Sequence, residues 1–278
     1  TIYHRMINCE TFELTGSDNV KFLVDRFSTS SAANKIIIFC HGFKGFKDWG
    51  GFNYVADFFR NKNIIFYKFN FSHNGTSLKN PNEICDLEKF SQNNFTKELY
   101  DLNQLINYVE VKDDLSDKEL ILIGHSRGGG ISIIKSSMDS RVNKLVTWCS
   151  PSNFFNKLDS EKIKLWEERK VIYIENKRTN QKLPLDYQFY LDCINNKNNY
   201  DILSCCNNII IPHLVQHAKN DETVEYSEAV KISKNSKQSK LISYNSNHVF
   251  GMSHPFNESN CTKVLDNVLF DISSFLKT

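Results

Sequence analysis

The stretch LILIGHSRGGG, Leu120 to Gly130, sets one serine between an aliphatic run and a run of glycines. A serine hydroxyl is a weak nucleophile at neutral pH and attacks a carbonyl only when a base takes its proton. Gly124-His125-Ser126-Arg127-Gly128 fits the pattern G-x-S-x-G, in which a strand turns sharply into a helix and leaves the serine exposed at the turn. Glycines on both sides let neighbouring backbone approach closely, and GGGISIIKSSM can start a helix whose first amides face the serine. The motif is short, and an ordinary glycine-rich strand-to-helix turn is the competing reading. The rest of the chain must supply the base.

That base needs a partner fixing its tautomer, and the reacting carbonyl needs amide donors for the charge that develops on its oxygen. With such a serine the chain order is nucleophile, acid, histidine. Asp221 suits the acid, because KNDETV follows the apolar run HLVQHA at the end where parallel sheets bind ligands. Glu222 is a weaker candidate, and Asp221 could instead cap the helix that starts near VEYSEA. His248, in NSNHVF after the last apolar run, suits the base. Of the eight histidines, His213 and His217 precede the acid, and His254 in MSHPF is the competitor. The segment CHGFKGF, Cys40 to Phe46, follows the first long apolar run. There the backbone N–H of Phe43 would be one oxyanion donor and that of Arg127 the other.

These residues need a sheet to position them. KIIIFC (Lys35–Cys40), IIFYKFNF (Ile64–Phe71), ELILIG (Glu119–Gly124), KLVTWC (Lys144–Cys149), HLVQHA (His213–Ala218) and KLISYN (Lys240–Asn245) read as buried strands. MINCETFEL and VKFLVDRF flank TGSDN as an opening hairpin. Between the strands, Phe95, Leu99, Leu102, Leu105 and Val109 recur at helical spacing, as do Leu265, Val268, Ile272 and Phe275. Phe52, Val55 and Phe59 mark a further helix. The polar, aromatic-studded region at about 153–207 breaks this rhythm and is too long for a bare loop. It is expected to be a mostly helical cap inserted into a single α/β domain. Phe154, Phe155, Trp166, Tyr173, Tyr187, Phe189 and Tyr190 in it could line an acyl pocket or pack the cap onto the sheet. Lys44 and Lys47 could attract an acidic substrate or face solvent.

HGFKGFKDWG, FNFSHNGTS, GHSRGG, HAKNDETV and NHVFGMSHPF fall in order, each after an expected strand. Together they resemble the α/β-hydrolase superfamily across nearly the whole chain, and within it the dienelactone-hydrolase-like and cinnamoyl (feruloyl) esterase-like branches. The resemblance implies a mostly parallel central sheet flanked by helices, and a serine hydrolase of carboxylic esters working through an acyl-enzyme. It sets Ser126, Asp221 and His248 as the triad and Phe43 and Arg127 as oxyanion donors. Dienelactone hydrolases themselves use a cysteine where this chain has Ser126, and His73 stands where a glycine is frequent. An acyl-peptidase or thioesterase would use the same triad. An acyltransferase and a non-catalytic ligand-binding relative are further alternatives.

The bulk numbers fit. A formal charge of +2 over 278 residues leaves no footprint for nucleic acid. No apolar run is long enough to span a membrane, and TIYHRMINCE has no leader-like segment. The eight cysteines form no C-x-x-C pair, which argues against a metal site and for reduced thiols in a cytoplasmic protein. No cofactor is expected, the substrate is expected to be a small acyl ester, and a homodimer is left open.

Overall fold

The computed structural model describes residues 9–155, 159–257 and 262–277. Met6 to Asn8 of the expected hairpin, and Cys261, lie outside them. The strands are β1 (Cys9–Thr15), β2 (Lys21–Phe27), β3 (Lys35–Cys40), β4 (Ile65–Phe69), β5 (Glu119–His125), β6 (Val142–Trp148), β7 (Val171–Asn176), β8 (Gln181–Asp186), β9 (His213–Ala218) and β10 (Ser239–Tyr244). The helices are α1 (Phe52–Arg60), α2 (Leu87–Ser91), α3 (Phe95–Asp113), α4 (Arg127–Met138), α5 (Ser160–Arg169), α6 (Gln188–Asn195), α7 (Ile202–Asn208), α8 (Tyr226–Asn235) and α9 (Lys263–Phe275).

Eight strands form one sheet in the order β1-β2-β4-β3-β5-β6-β9-β10. All neighbouring pairs from β4 to β10 are parallel, and β2 runs antiparallel to both β1 and β4. Side chains alternate across a strand, and both faces of this sheet are covered. Ile36, Ile38 and Cys40 of β3, with Leu120 and Leu122 of β5, join one core with Leu102, Leu105 and Ile106 of α3. Ile37 and Phe39, with Ile121 and Ile123, join a second core with α1 and α9, through Val55, Phe59, Val268 and Ile272. Burial on both faces is why these strands read as unbroken apolar runs. Helix α3 opens with Asn94 accepting from Lys97 N–H, and α9 with Thr262 accepting from Leu265 N–H.

From β3 the chain steps to β4 on one side and then crosses to β5 on the other. Strand order reverses at the carboxyl ends of β3 and β5, the place where open α/β sheets form a crevice. The loops that leave those two ends carry Phe43 and Ser126.

The region at about 153–207, expected to be mostly helical, also holds a pair of strands. Alongside α5, α6 and α7 it holds the antiparallel hairpin β7–β8, paired from Val171↔Asp186 to Asn176↔Gln181. Tyr173 and Glu175 are exposed while Ile172 and Ile174 are half-buried, and Leu183 and Leu185 are buried. That is a period of two, present in VIYIEN and QKLPLD but obscured by the charged residues between them. Trp166, Phe189 and Cys193 of this region join the core on the α3–α4 face.

Candidate active site

Strand β5 ends at His125 and α4 begins at Arg127, so Ser126 makes the whole turn. Its backbone sits at φ 55°, ψ −123°, a region that costs a non-glycine residue about 1–3 kcal/mol. The turn is held from both sides: Ser126 N–H donates to Trp148 O at 2.8 Å, and Ser126 O accepts from Gly129 N–H at 2.8 Å. A Cβ on Gly124 would lie 2.2 Å from Gly128 O, and one on Gly128 would lie 2.3 Å from Cys40 O. Both glycines are therefore required by the close approach of β3, β5 and α4.

His248 lies in the turn after β10, and its Nδ1 meets Asp221 Oδ2 at 2.7 Å. The other Asp221 oxygen accepts from Thr223 N–H and Val224 N–H, each at 2.8 Å. Asp221 thus anchors its own loop with one oxygen and a histidine with the other; the cap of α8 is Glu225. Burial pushes the Asp221 carboxyl up, but hydrogen bonds from His217 and His248 outweigh it and hold the group well below the usual carboxylate range. A carboxylate only accepts, so His248 Nδ1 carries the proton and Nε2 is left as a base. His248 O accepts from the His125 ring at 3.0 Å, which ties the base to the residue preceding Ser126. Among the described residues the Ser126 hydroxyl makes no hydrogen bond to the His248 ring; serine and histidine line the same cleft.

The other candidates are elsewhere occupied. His254 Nδ1 accepts from Gly50 N–H at 3.0 Å, and its ring packs on Phe46 and Trp49. Glu222 is exposed at the cleft and does not pair with His248. His217 comes within 3.4 Å of Asp221 Oδ2 while its Nε2–H donates to Val224 O at 2.9 Å. Cys149 is buried beside them, and these three residues bring ligand-type atoms within 4.8 Å of one another. Both Asp221 oxygens are already committed to hydrogen bonds there.

The loop after β3 presses on the serine: a Cβ on Gly42 would lie 2.9 Å from Ser126 Cβ. Among the described residues neither Phe43 N–H nor Arg127 N–H has a hydrogen-bond partner. Helix α4 opens at Ser126 without a side-chain cap, so its positive end is left for a ligand. His41 fixes the loop from below. Its Nε2 accepts from Phe71 N–H at 3.3 Å, so Nδ1 is the donor to Gly42 O at 2.9 Å. Burial lowers the ring's pKa to about 4 and keeps it neutral.

Lys47 neither faces solvent nor reaches the cleft. It is buried, and with Lys68 it binds Asp25 and Asp48, locking the loop onto β2 and β4. Lys44 does line the cleft. Of the aromatics expected to line a pocket, Phe154 and Phe189 do so, whereas Trp166 is buried with its indole N–H on Leu185 O.

The cleft encloses about 980 Å³, ample for a small organic ligand. It also exposes two features that the sequence reading missed. Ile174, Asn176 and Arg178 of the β7–β8 hairpin form part of its wall. The Arg127 side chain lies in it as well, stacked 3.7 Å over the Phe43 ring and paired with the buried Glu98 of α3. A signal for Glu98 existed: it is a charge on the apolar face of α3, three residues after Phe95 and four before Leu102.

Comparison of the whole structure with solved ones decides the architecture. Est1E from Butyrivibrio proteoclasticus, with ferulic acid bound, superposes with a TM-score of 0.72 over 95% of this chain and 97% of that one, at 16% identity. The chain has the α/β-hydrolase fold. Mouse alpha/beta hydrolase domain-containing protein 10 superposes on this chain with a TM-score of 0.69, 15% identity and coverage of 96% and 98%. The esterase domain of a Rhodothermus marinus protein gives 0.61, 13%, 87% and 90%. No protein-family model matches the sequence, and no curated protein does. The described residues include no helix long and apolar enough to cross a membrane.

Proposed function

We propose that the protein is a serine hydrolase of carboxylic esters, with Ser126 as nucleophile, His248 as base and Asp221 as the residue that orients it. The observation that carries this reading is the 2.7 Å contact of His248 Nδ1 with an Asp221 carboxylate held in its ionised form, in the same cleft as Ser126. Esterases among the structures of like fold support it.

In the proposed cycle His248 Nε2 takes the Ser126 proton as Oγ attacks the ester carbonyl. Negative charge gathers on the carbonyl oxygen, where the N–H groups of Phe43 and Arg127 stabilise it. The tetrahedral adduct collapses, the C–O bond to the alcohol breaks, and His248 returns the proton to the leaving oxygen. Water then repeats the sequence on the acyl-enzyme, with His248 again as base, and releases the acid and free Ser126. Asp221 stays ionised throughout and steadies the imidazolium. The region at about 153–207 acts as a cap, contributing the β7–β8 hairpin, Phe154 and Phe189 to the wall of the cleft.

The test is hydrolysis of p-nitrophenyl esters from acetate to octanoate, and of methyl ferulate, by the wild type and Ser126→Ala. Loss of the nucleophile should lower kcat by about a million-fold, and a fluorophosphonate should label the wild type at Ser126 only. A folded wild type that is inert on every ester and unlabelled would overturn the proposal.

A further inference from the structure

Resting on the hydrolase reading, we infer that the Arg127 side chain is a substrate-recognition group and that the ester cleaved here carries a carboxylate. Arg127 then has two separate roles, its backbone N–H serving the oxyanion and its guanidinium the remote anion.

Four observations point this way. The Arg127 guanidinium lies at the cleft, and its side chain is only 14% exposed. Phe43 covers one face at 3.7 Å, and the rings of Phe95 and Phe189 stand 5.2 and 5.3 Å away. This aromatic box fixes the plane of the fork, as a bidentate site for a carboxylate requires.

Next, the guanidinium is under-used. It offers five N–H donors, yet among the described residues its one polar partner is Glu98 Oε1, at 3.4 Å from Nη1. A dedicated structural pair would be shorter and two-pronged. The Asn93 amide donates to the same Oε1 at 2.8 Å, and the buried Glu98 Oε2 takes no hydrogen bond from Arg127 or any other described residue. A buried arginine that lines a ligand-sized cleft and has most of its donors without a partner among the described residues lacks an acceptor that a ligand can bring.

The surroundings favour an anion. Lys44 and Arg178 line the same cleft, and Lys44 stands close enough to Arg127 to be repelled by it. The acids of the cleft, Glu222, Glu225 and Glu228, come from the β9–α8 connection and α8. Glu228 is already bound by Ser152 and Lys231.

Finally, position limits the substrate. Arg127 directly follows the nucleophile, so an anion on its guanidinium sits within about one arginine side chain of the scissile carbonyl. A monoester of a short dicarboxylic acid fits, as does an ester whose alcohol half bears the carboxylate.

The experiment compares kcat/KM for monomethyl adipate with that for methyl hexanoate, which has an acyl chain of equal length, and for 6-acetoxyhexanoate, with its charge on the alcohol half. One charge-assisted pair should favour a charged ester by about 10- to 100-fold over the neutral one. Whichever charged ester is preferred identifies the half that Arg127 reads. Arg127→Met keeps the backbone donor and should collapse the charged-to-neutral ratio towards one, whereas Arg127→Lys should retain part of it. If either variant unfolds, Arg127→Met/Glu98→Met removes both buried charges together and serves instead. Equal rates on charged and neutral esters in the wild type, or an unchanged ratio in Arg127→Met, would overturn the inference. A calorimetric titration of Ser126→Ala with monomethyl adipate and 6-acetoxyhexanoate, with and without Arg127→Met, separates this outcome from failure of the hydrolase reading. Arg127-dependent binding by a protein inert on all esters would keep the anion site and reject the chemistry. Binding of neither charged ester, or binding indifferent to Arg127, would reject the site.

Discussion

Replacing Asp221 by asparagine exchanges one carboxylate oxygen for an NH₂ group, and the structure dictates what must follow. Oδ1 accepts from two backbone amides at 2.8 Å, and Oδ2 faces His248 Nδ1 at 2.7 Å. Asparagine has one acceptor oxygen for these two jobs. With its NH₂ toward Thr223 and Val224, two buried amides lose their acceptor, at about 1–3 kcal/mol each. With its NH₂ toward His248, the loop keeps its bonds, the ring moves its proton from Nδ1 to Nε2, and only the long 3.4 Å contact from His217 Nε2–H, which also donates to Val224 O, is lost. The second arrangement is cheaper, so the variant should fold. Nε2 then carries a proton and cannot take one from Ser126. The expected loss in kcat is about 10⁴-fold, or about 5 kcal/mol of barrier, with a stability loss of about 1–3 kcal/mol. Turnover of p-nitrophenyl butyrate and the rate of fluorophosphonate labelling at Ser126 measure it, beside a urea denaturation curve. A folded Asp221→Asn protein within ten-fold of wild-type kcat would refute the assignment, because His248 would then not depend on Asp221 for its tautomer.

Two further outcomes are expected. Gly128→Ala drives a Cβ to 2.3 Å from Cys40 O and 2.5 Å from His41 O, both rigid backbone. It should destabilise by about 1–3 kcal/mol and lower kcat by displacing α4 from the oxyanion loop. Gly130→Ala meets mainly the movable Phe154 ring and should be milder in melting temperature and kcat alike; equal effects would refute the packing account. As for pH, burial lowers the rings of His41 and His73 to about 4 and those of His125 and His213 to about 3. The unfolded chain therefore binds protons first as pH falls below about 6.5, and each histidine removes about 1.4 kcal/mol per pH unit until its folded value is reached. Asp101, raised to about 7 by burial, and Glu98, raised likewise, work in the opposite sense and offset part of this. Urea midpoints at pH 7 and pH 5 should show the protein weaker at pH 5, and an unchanged midpoint would refute the sum.

Much of this molecule was legible in one dimension. Strands β3 and β9 fall on the residues whose apolar runs announced them, and β4, β5, β6 and β10 lie within a few residues of theirs. Burial on both faces leaves no polar alternation to confuse the pattern. Ser126 was legible because a strained turn between a strand and a helix demands glycines at fixed offsets, and close backbone packing writes itself into sequence as missing side chains. The hairpin β7–β8 was harder to see, since charged residues on its exposed positions and at its turn mask a short period-two signal.

The choice of partners belonged to the tertiary structure. Sequence order left both His248 and His254 after Asp221. Only the folding of two distant loops sets one against the carboxylate and the other against Gly50 N–H. Lys44 and Lys47 lie three residues apart in one loop, yet the first lines the cleft and the second is buried on Asp25 and Asp48. The setting of Arg127 was equally invisible, because its box of Phe43, Phe95 and Phe189 is gathered from a loop, α3 and α6. Local sequence fixes backbone shape through sterics and the alternation of burial. Which side chains meet across a cleft depends on how separate elements are brought together in three dimensions, and no local spacing encodes that.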